Sequence, residues 1–163
     1  MIDPFGLAEC VYSISLHTIV CQPNADGFEP AVIGPNGPGA VQVGPDDVFS
    51  GKGPCKDNPK CEYTRNEGPI PPGRYKMSYY WEKQGEGHDR YRLEPWPNDF
   101  FSRITRDFWH WRYYGLGAQL HRGHYSMGCI NAVQDDPATM QQYDQMFKLL
   151  TSEDGANFMT AVE

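Results

Sequence analysis

Leu120-His121-Arg122-Gly123-His124-Tyr125-Ser126-Met127-Gly128-Cys129-Ile130-Asn131 is the stretch on which the reading of this chain turns. It follows Gly117-Ala118-Gln119, and the residues from Gly117 to His121 read as a buried strand running into a turn. One short run thus supplies an imidazole, a Ser-x-Gly turn and a thiol. A thiol is weakly ionised at neutral pH, and a nearby imidazole can hold it as the nucleophilic thiolate. Gly128 permits a tight turn and lets a substrate carbonyl approach the backbone beside Cys129. The segment reads as the centre of an enzyme carried on strands, with Cys129 doing the chemistry.

Outward towards the C-terminus lies the clearest helix. Asp136 can cap it and Pro137 suits its first turn. Met140, Tyr143, Met146, Phe147 and Leu150 form an apolar stripe for core packing. A second short helix is expected from Ser152, with Glu153 and Asp154 in its first turn. Outward towards the N-terminus, Gly68-Pro69-Ile70-Pro71-Pro72-Gly73 is a rigid turn that leads into a strand from Tyr75 to Trp81, and a further strand covers His88 to Leu93. Phe101, Ile104, Phe108 and Trp111 have near-helical spacing. Trp109, Trp111, Tyr113 and Tyr114 read as core aromatics, with sugar stacking as the alternative.

Near the start, Cys10, Tyr12, Ile14 and Leu16 alternate with smaller or polar residues, which predicts a half-buried strand. From Pro23 to Pro59 the chain is dense in Gly and Pro. Ala31-Val32-Ile33 and Val41-Gln42-Val43 predict short strands between turns. The pattern as a whole predicts a mainly β domain with flanking helices (α+β) and no internal linker.

Composition narrows the function. A length of 163 residues suits one domain, and 39% hydrophobic residues suit a folded one. The net charge is −7 and no Lys/Arg run is present, so nucleic acid is not the expected partner. No apolar stretch is long enough to span a bilayer. The N-terminus lacks a basic segment followed by an apolar core, so export by a route other than a Sec signal is expected. Cysteines stand at 10, 21, 55, 61 and 129. A two-disulfide framework, Cys10–Cys21 and Cys55–Cys61 with Cys129 left over, suits an oxidising compartment such as the periplasm. The alternative is that most of these thiols are reduced and buried. His110, His121, His124 and Cys129 are zinc-ligand types, but their spacing matches no common finger or His-Glu-x-x-His helix, so neither metal nor cofactor is expected.

Two resemblances add to this. Asp3-Pro4-Phe5-Gly6-Leu7 resembles the motif that closes the core of Rhs-type polymorphic toxins. It implies that residues 1–7 are a remnant of the core junction and that residues 8–163 are the released toxin domain. Ser126-x-Gly128-Cys129-Ile130-Asn131, with Leu120-His121 and Gly123 before it, resembles the active-site motif of the L,D-transpeptidases, the YkuD family. The Gly68 to Tyr75 element is similar to a second feature of that family, and the nearest branch is that of type VI secretion toxins. Met127 stands where the family has a second histidine, and the His121-to-Cys129 spacing is shorter than in housekeeping members.

The resemblance implies a YkuD-like β-sandwich or barrel with a C-terminal helix. It implies Cys129 as nucleophile and His121 as base, with His124 as the rival base. Gly128 and Cys129 would offer backbone N–H groups to an oxyanion, and Ser126 would fix the turn. Arg122 would bind a substrate carboxylate, with His124, Tyr125 and Asn131 lining the substrate. The implied substrate is the tetrapeptide stem of peptidoglycan, attacked through a thioester acyl-enzyme in the target periplasm. The implied partners are the Rhs core or secretion apparatus and a cognate immunity protein. An NlpC/P60-like hydrolase is less consistent, because that family usually places its cysteine before its histidine and no histidine follows Cys129. A non-enzymatic disulfide-stapled binding module is the remaining alternative, and it requires an unreactive Cys129.

Overall fold

The computed structural model describes residues 8–23, 34–37, 39–61, 64, 67–80, 90–96, 118–123, 128–152 and 157–163. Among these residues the chain forms nine strands and one α-helix: β1 (Glu9–Ser13), β2 (Thr18–Gln22), β3 (Val41–Val43), β4 (Val48–Ser50), β5 (Gly73–Tyr80), β6 (Arg90–Pro95), β7 (Ala118–Gly123), β8 (Ile130–Val133), α1 (Pro137–Ser152) and β9 (Asn157–Val162). The strands make one mixed sheet in the order β3-β2-β1-β9-β5-β6-β7-β8-β4.

That order forces a curl. The two edge strands, β3 and β4, are neighbours in sequence and only residues 44–47 join them. Laid flat, nine strands would hold their edges about 38 Å apart, whereas four residues reach about 14 Å. The sheet therefore rolls into a nearly closed barrel. Helix α1 packs on both β3 and β8 across the remaining gap. Polar contacts lock that junction: the Gly44 N–H donates to Gln142 Oε1 at 3.0 Å, the Val133 N–H to the Asp47 carbonyl at 2.8 Å, and Thr139 Oγ1 to Asp47 Oδ2 at 3.3 Å.

Side chains alternate across each strand, and the inward set fills the barrel. Tyr12, Ile19, Tyr75, Leu93, Leu120, Ile130 and Met159 are fully buried there together with Tyr143, Met146 and Leu150 of α1. The helix begins as its sequence predicts. Asp136 accepts from the N–H of Ala138 at 3.4 Å and of Thr139 at 3.1 Å, satisfying donors that the first turn leaves open.

Three expectations change. The helix is not C-terminal, and no second helix starts at Ser152. Instead α1 runs through Ser152 and the chain returns as β9, in the middle of the sheet, parallel to β1 and antiparallel to β5. Asn157 causes this turn-back: its Nδ2 donates to the Leu150 carbonyl at 3.0 Å and its Oδ1 accepts from the Ala8 N–H at 3.1 Å. One buried amide thus caps the helix end and starts a central strand. The first strand also ends earlier than its alternation suggests. Ser13 Oγ accepts from the Leu16 N–H at 3.2 Å and closes a turn, and Leu16 is left 66% exposed. The expected strand at Ala31–Ile33 and the helix across Phe101 to Trp111 lie outside the described residues.

The disulfides are Cys10–Cys21 and Cys55–Cys61. The first joins directly opposed residues of β1 and β2 inside the barrel. The second closes a short loop after β4.

Candidate active site

Strands β7 and β8 run parallel, with Leu120 opposite Ile130, His121 opposite Asn131 and Gly123 opposite Val133. Leu120 and Ile130 point into the barrel and are fully buried. By alternation, His121 and Asn131 point out, on the same side of the sheet. One step back along this register, Gln119 of β7 stands beside Cys129, which immediately precedes β8. The four residues Gln119, His121, Cys129 and Asn131 therefore share the outer face of two adjacent strands. Cys129 is half-buried and takes part in neither disulfide.

The histidine is oriented. Its Nδ1 lies 3.2 Å from the Arg122 carbonyl oxygen. With the proton on Nδ1, that nitrogen donates to the carbonyl and Nε2 becomes the acceptor, the state a general base requires. Asn131 is fully buried, and its Nδ2 donates to the Gly123 carbonyl at 3.0 Å. This bond ties the end of β7 to β8. Gly123 has φ +154°, and a β-carbon there would lie 3.6 Å from both His121 Nδ1 and Asn131 Oδ1. The imidazole and the amide thus flank one small open face of backbone. Asn131 Oδ1 accepts no hydrogen bond among the described residues. Gly128 has φ +97°, a conformation that favours glycine, so the turn that delivers Cys129 requires this residue.

On its other side β8 is held by β4, where Ser50 pairs with Ile130 and Phe49 with Asn131. Phe49 is outward and nearly buried, with Lys56 Nζ 4.4 Å from its ring centre.

The strands bring together His121, Gly128, Cys129 and Asn131. Arg122 points the other way, towards α1, where its Nη1 lies 3.7 Å from Asp144 Oδ1. His124, Tyr125 and Ser126 lie outside the described residues, as does His110. Sequence reasoning passed over two residues. Gln119 is 5% exposed although polar, and it accepts from Arg90 Nη1 of β6 at 3.1 Å. Alternation around Tyr91 and Leu93 puts Arg90 on the outer face, but the β6–β7 pairing that carries it to the site leaves no local signal. Among the described residues no His, Cys, Asp and Glu side chains cluster as a metal site.

A mostly β chain rolled into a nearly closed barrel is a fold shared with bacterial proteins of known structure. The helical cell shape determining protein Pgp2 from Campylobacter jejuni is similar at a TM-score of 0.55 and 10% identity, over 98% of this chain and 49% of that one. This chain thus spans about half the length of that protein. L,D-transpeptidase 1 from Mycobacterium tuberculosis matches at a TM-score of 0.45 and 16% identity, over 97% of this chain and 63% of that one. No curated protein matches the sequence significantly. Residues 46–160 match the Tlde1 domain, and the chain belongs to that family of type VI secretion effectors.

Proposed function

We propose that this protein is a peptidoglycan-targeting antibacterial effector, a cysteine-dependent L,D-transpeptidase or L,D-carboxypeptidase acting on tetrapeptide stems. The observation that carries the reading is the pairing of β7 with β8. It sets His121 and Cys129 on one outer face, with the imidazole turned by the Arg122 carbonyl so that Nε2 is its basic nitrogen. The effector family and the cell-wall motif support the substrate class.

In the proposed reaction, His121 Nε2 takes the Cys129 proton, and the thiolate attacks the L-centre carbonyl of the third stem residue. Backbone N–H groups at Gly128 and Cys129 hold the oxyanion. The C–N bond breaks, the terminal D-alanine amine leaves with the proton from His121, and a thioester remains on Cys129. Water, a D-amino acid or an amine of another stem then takes the acyl group and restores the thiol. Asn131 holds Gly123 and with it the end of β7 beneath the imidazole. Ser126, His124 and Tyr125 enter this scheme through the motif resemblance, whereas Arg122, on the opposite face, does not. Secretion into the periplasm of a competing cell, and an immunity protein that guards the producer, complete the proposal. An acidic chain of net charge −7 favours a basic partner surface.

The test is to direct the protein and its Cys129→Ala variant to the periplasm of a susceptible bacterium and compare muropeptides. Loss of tetrapeptide stems with the wild type alone is expected. Equal toxicity and equal muropeptide profiles for the two proteins would overturn the reading.

A further inference from the structure

Gln119 is a buried amide whose two ends are treated differently. The residue is 5% exposed on the outer face of β7. Its Oε1 accepts from Arg90 Nη1 at 3.1 Å. A guanidinium only donates, so this contact fixes which end of the amide is oxygen. The two N–H groups of Nε2 are left to point elsewhere, and they meet no partner among the described residues. A side chain this buried does not swing freely, so the donors are held in place.

Beside them runs the strand of the proposed nucleophile. The β7–β8 register sets Leu120 opposite Ile130. Continued back by one residue, it sets Gln119 opposite Cys129. Leu120 and Ile130 are buried in the barrel, so by alternation Gln119 and Cys129 leave it on the same side. Neighbouring strands lie about 4.8 Å apart. A carbonyl carbon bonded to the Cys129 sulfur therefore sits within a side chain's reach of Gln119. The chemistry there calls for donors. As the thiolate attacks, the S–C bond forms and the π pair of the carbonyl moves onto its oxygen. That oxyanion needs N–H groups at about 2.7–3.1 Å. Backbone donors at Gly128 and Cys129 come from the β8 side, and Gln119 offers its own from β7. The Arg90 N–H on Oε1 draws electron density from the amide nitrogen and so strengthens those donors.

We propose that the Gln119 side-chain amide completes the oxyanion hole, donating from Nε2 to the oxygen of the tetrahedral intermediate that Cys129 forms. The inference rests on Cys129 as nucleophile and adds a catalytic residue from the neighbouring strand. When the intermediate collapses, the electron pair returns to the carbonyl and the C–N bond breaks. The amine leaves with the proton from His121. Gln119 releases the oxygen without giving up a proton of its own.

The experiment follows release of the terminal residue from a stem tetrapeptide in a single turnover, with enzyme in saturating excess. Beside it, alkylation of Cys129 by iodoacetamide is timed at its high-pH plateau. Alkylation uses the same thiolate but displaces iodide and forms no oxyanion. Gln119→Met keeps the length of the side chain and removes the donors, so acylation should slow about 100-fold. The enzyme concentration for half-saturation should change little, because the donors meet the oxyanion only as the transition state forms. The alkylation rate should match wild type. Gln119→Asn keeps the donors on a shorter arm and should fall between the two. The rate constant at saturation belongs to the bound complex, so a partly unfolded variant does not distort it. A Gln119→Met protein that acylates at the wild-type rate overturns the inference and leaves the proposed function standing. So does one in which acylation and alkylation slow together, since Gln119 would then support the thiolate and not the oxyanion. A wild type that releases no terminal residue overturns both this inference and the proposed function.

Discussion

Two patches on the outer face of the same sheet handle charge in opposite ways. Over β1, β9 and β5, Arg74 meets Glu9 through two hydrogen bonds, 2.5 Å from Nη2 to Oε1 and 3.3 Å from Nη1 to Oε2. Its guanidinium lies 4.4 Å from the Phe158 ring, and Trp96 meets that ring edge to face with the centroids 5.7 Å apart. Charge there is cancelled and covered. Over β6, β7 and β8, Arg90 Nη1 donates to the Gln119 amide, His121 Nδ1 lies against a backbone carbonyl, and Asn131 Oδ1 is buried with no hydrogen-bond partner among the described residues. The first patch is satisfied from within the fold. In the second, the described contacts orient polar side chains beside the proposed nucleophile Cys129. The two patches should separate cleanly in mutants.

The largest effect falls on chemistry alone. His121→Ala removes the proposed general base without touching the barrel core, so kcat should drop by about 10²–10⁴-fold. The thermal midpoint should move little, since His121 is only half-buried on the outer face. Steady-state cleavage of a tetrapeptide beside a melting curve checks this. A variant that melts much earlier would make His121 part of the framework and erase the contrast between the patches.

The next effect falls on stability alone. Glu9 is 2% exposed, and Arg74→Met would leave its carboxylate buried without its cation. Stranding one member of a buried pair costs about 3–5 kcal/mol, and the half-exposed Arg74 puts this case at the low end, about 3 kcal/mol. Chemical denaturation should show that loss, while cleavage per folded molecule stays at the wild-type level. A fall in kcat with unchanged stability would mean that the two patches are coupled through β5 and β6.

The sequence displayed the pieces of this division unevenly. Helix α1, its Asp136 cap and its apolar stripe were legible because they depend on spacings of three and four residues. The two disulfides were legible because each pair closes a short segment. The strand leading into the Cys129 motif was legible because Ala118 and Leu120 alternate with Gln119 and His121 in a short run bounded by Gly117 and Gly123. Illegible was whatever depends on which strand meets which. Asn157 reads as a loop residue until its two amide contacts with Leu150 and Ala8 are seen. Arg90 reads as a solvated arginine until β6 pairs with β7 and aims it at Gln119. Placing Arg122 required knowing that α1 presents Asp144 to it. Long-range register, absent from any local window, decided each of these.

The Cys55–Cys61 loop follows β4, the strand that flanks the second patch at β8, and gives the smallest and most discriminating test. Within it, Asp57 adopts φ +54°, donates its N–H to the Ser50 carbonyl at 2.8 Å and accepts the Ser50 N–H at 2.8 Å through Oδ1. Ser50 pairs with Ile130, the residue after Cys129. Replacing both cysteines by serine should cost about 2 kcal/mol, the entropy of closing so short a loop. It should also lower kcat several-fold, because β4 then grips the start of β8 less firmly. The pH dependence sharpens the assignment. Burial pushes the Asp57 carboxyl above its ordinary value, against the opposing pull of the Ser50 hydrogen bond and His17. A carboxyl raised in the folded state supports folding fully below its unfolded value, about 3.9, and loses that support as pH rises towards the folded value. If opening the loop releases Asp57 to water, the variant no longer loses that support. Its deficit relative to wild type should then be greatest near pH 3.5 and should shrink by pH 6. Denaturant midpoints at the two pH values read this directly. A constant deficit would mean that Asp57 stays seated on Ser50 without the disulfide, and that β4 alone holds the strand that presents Cys129.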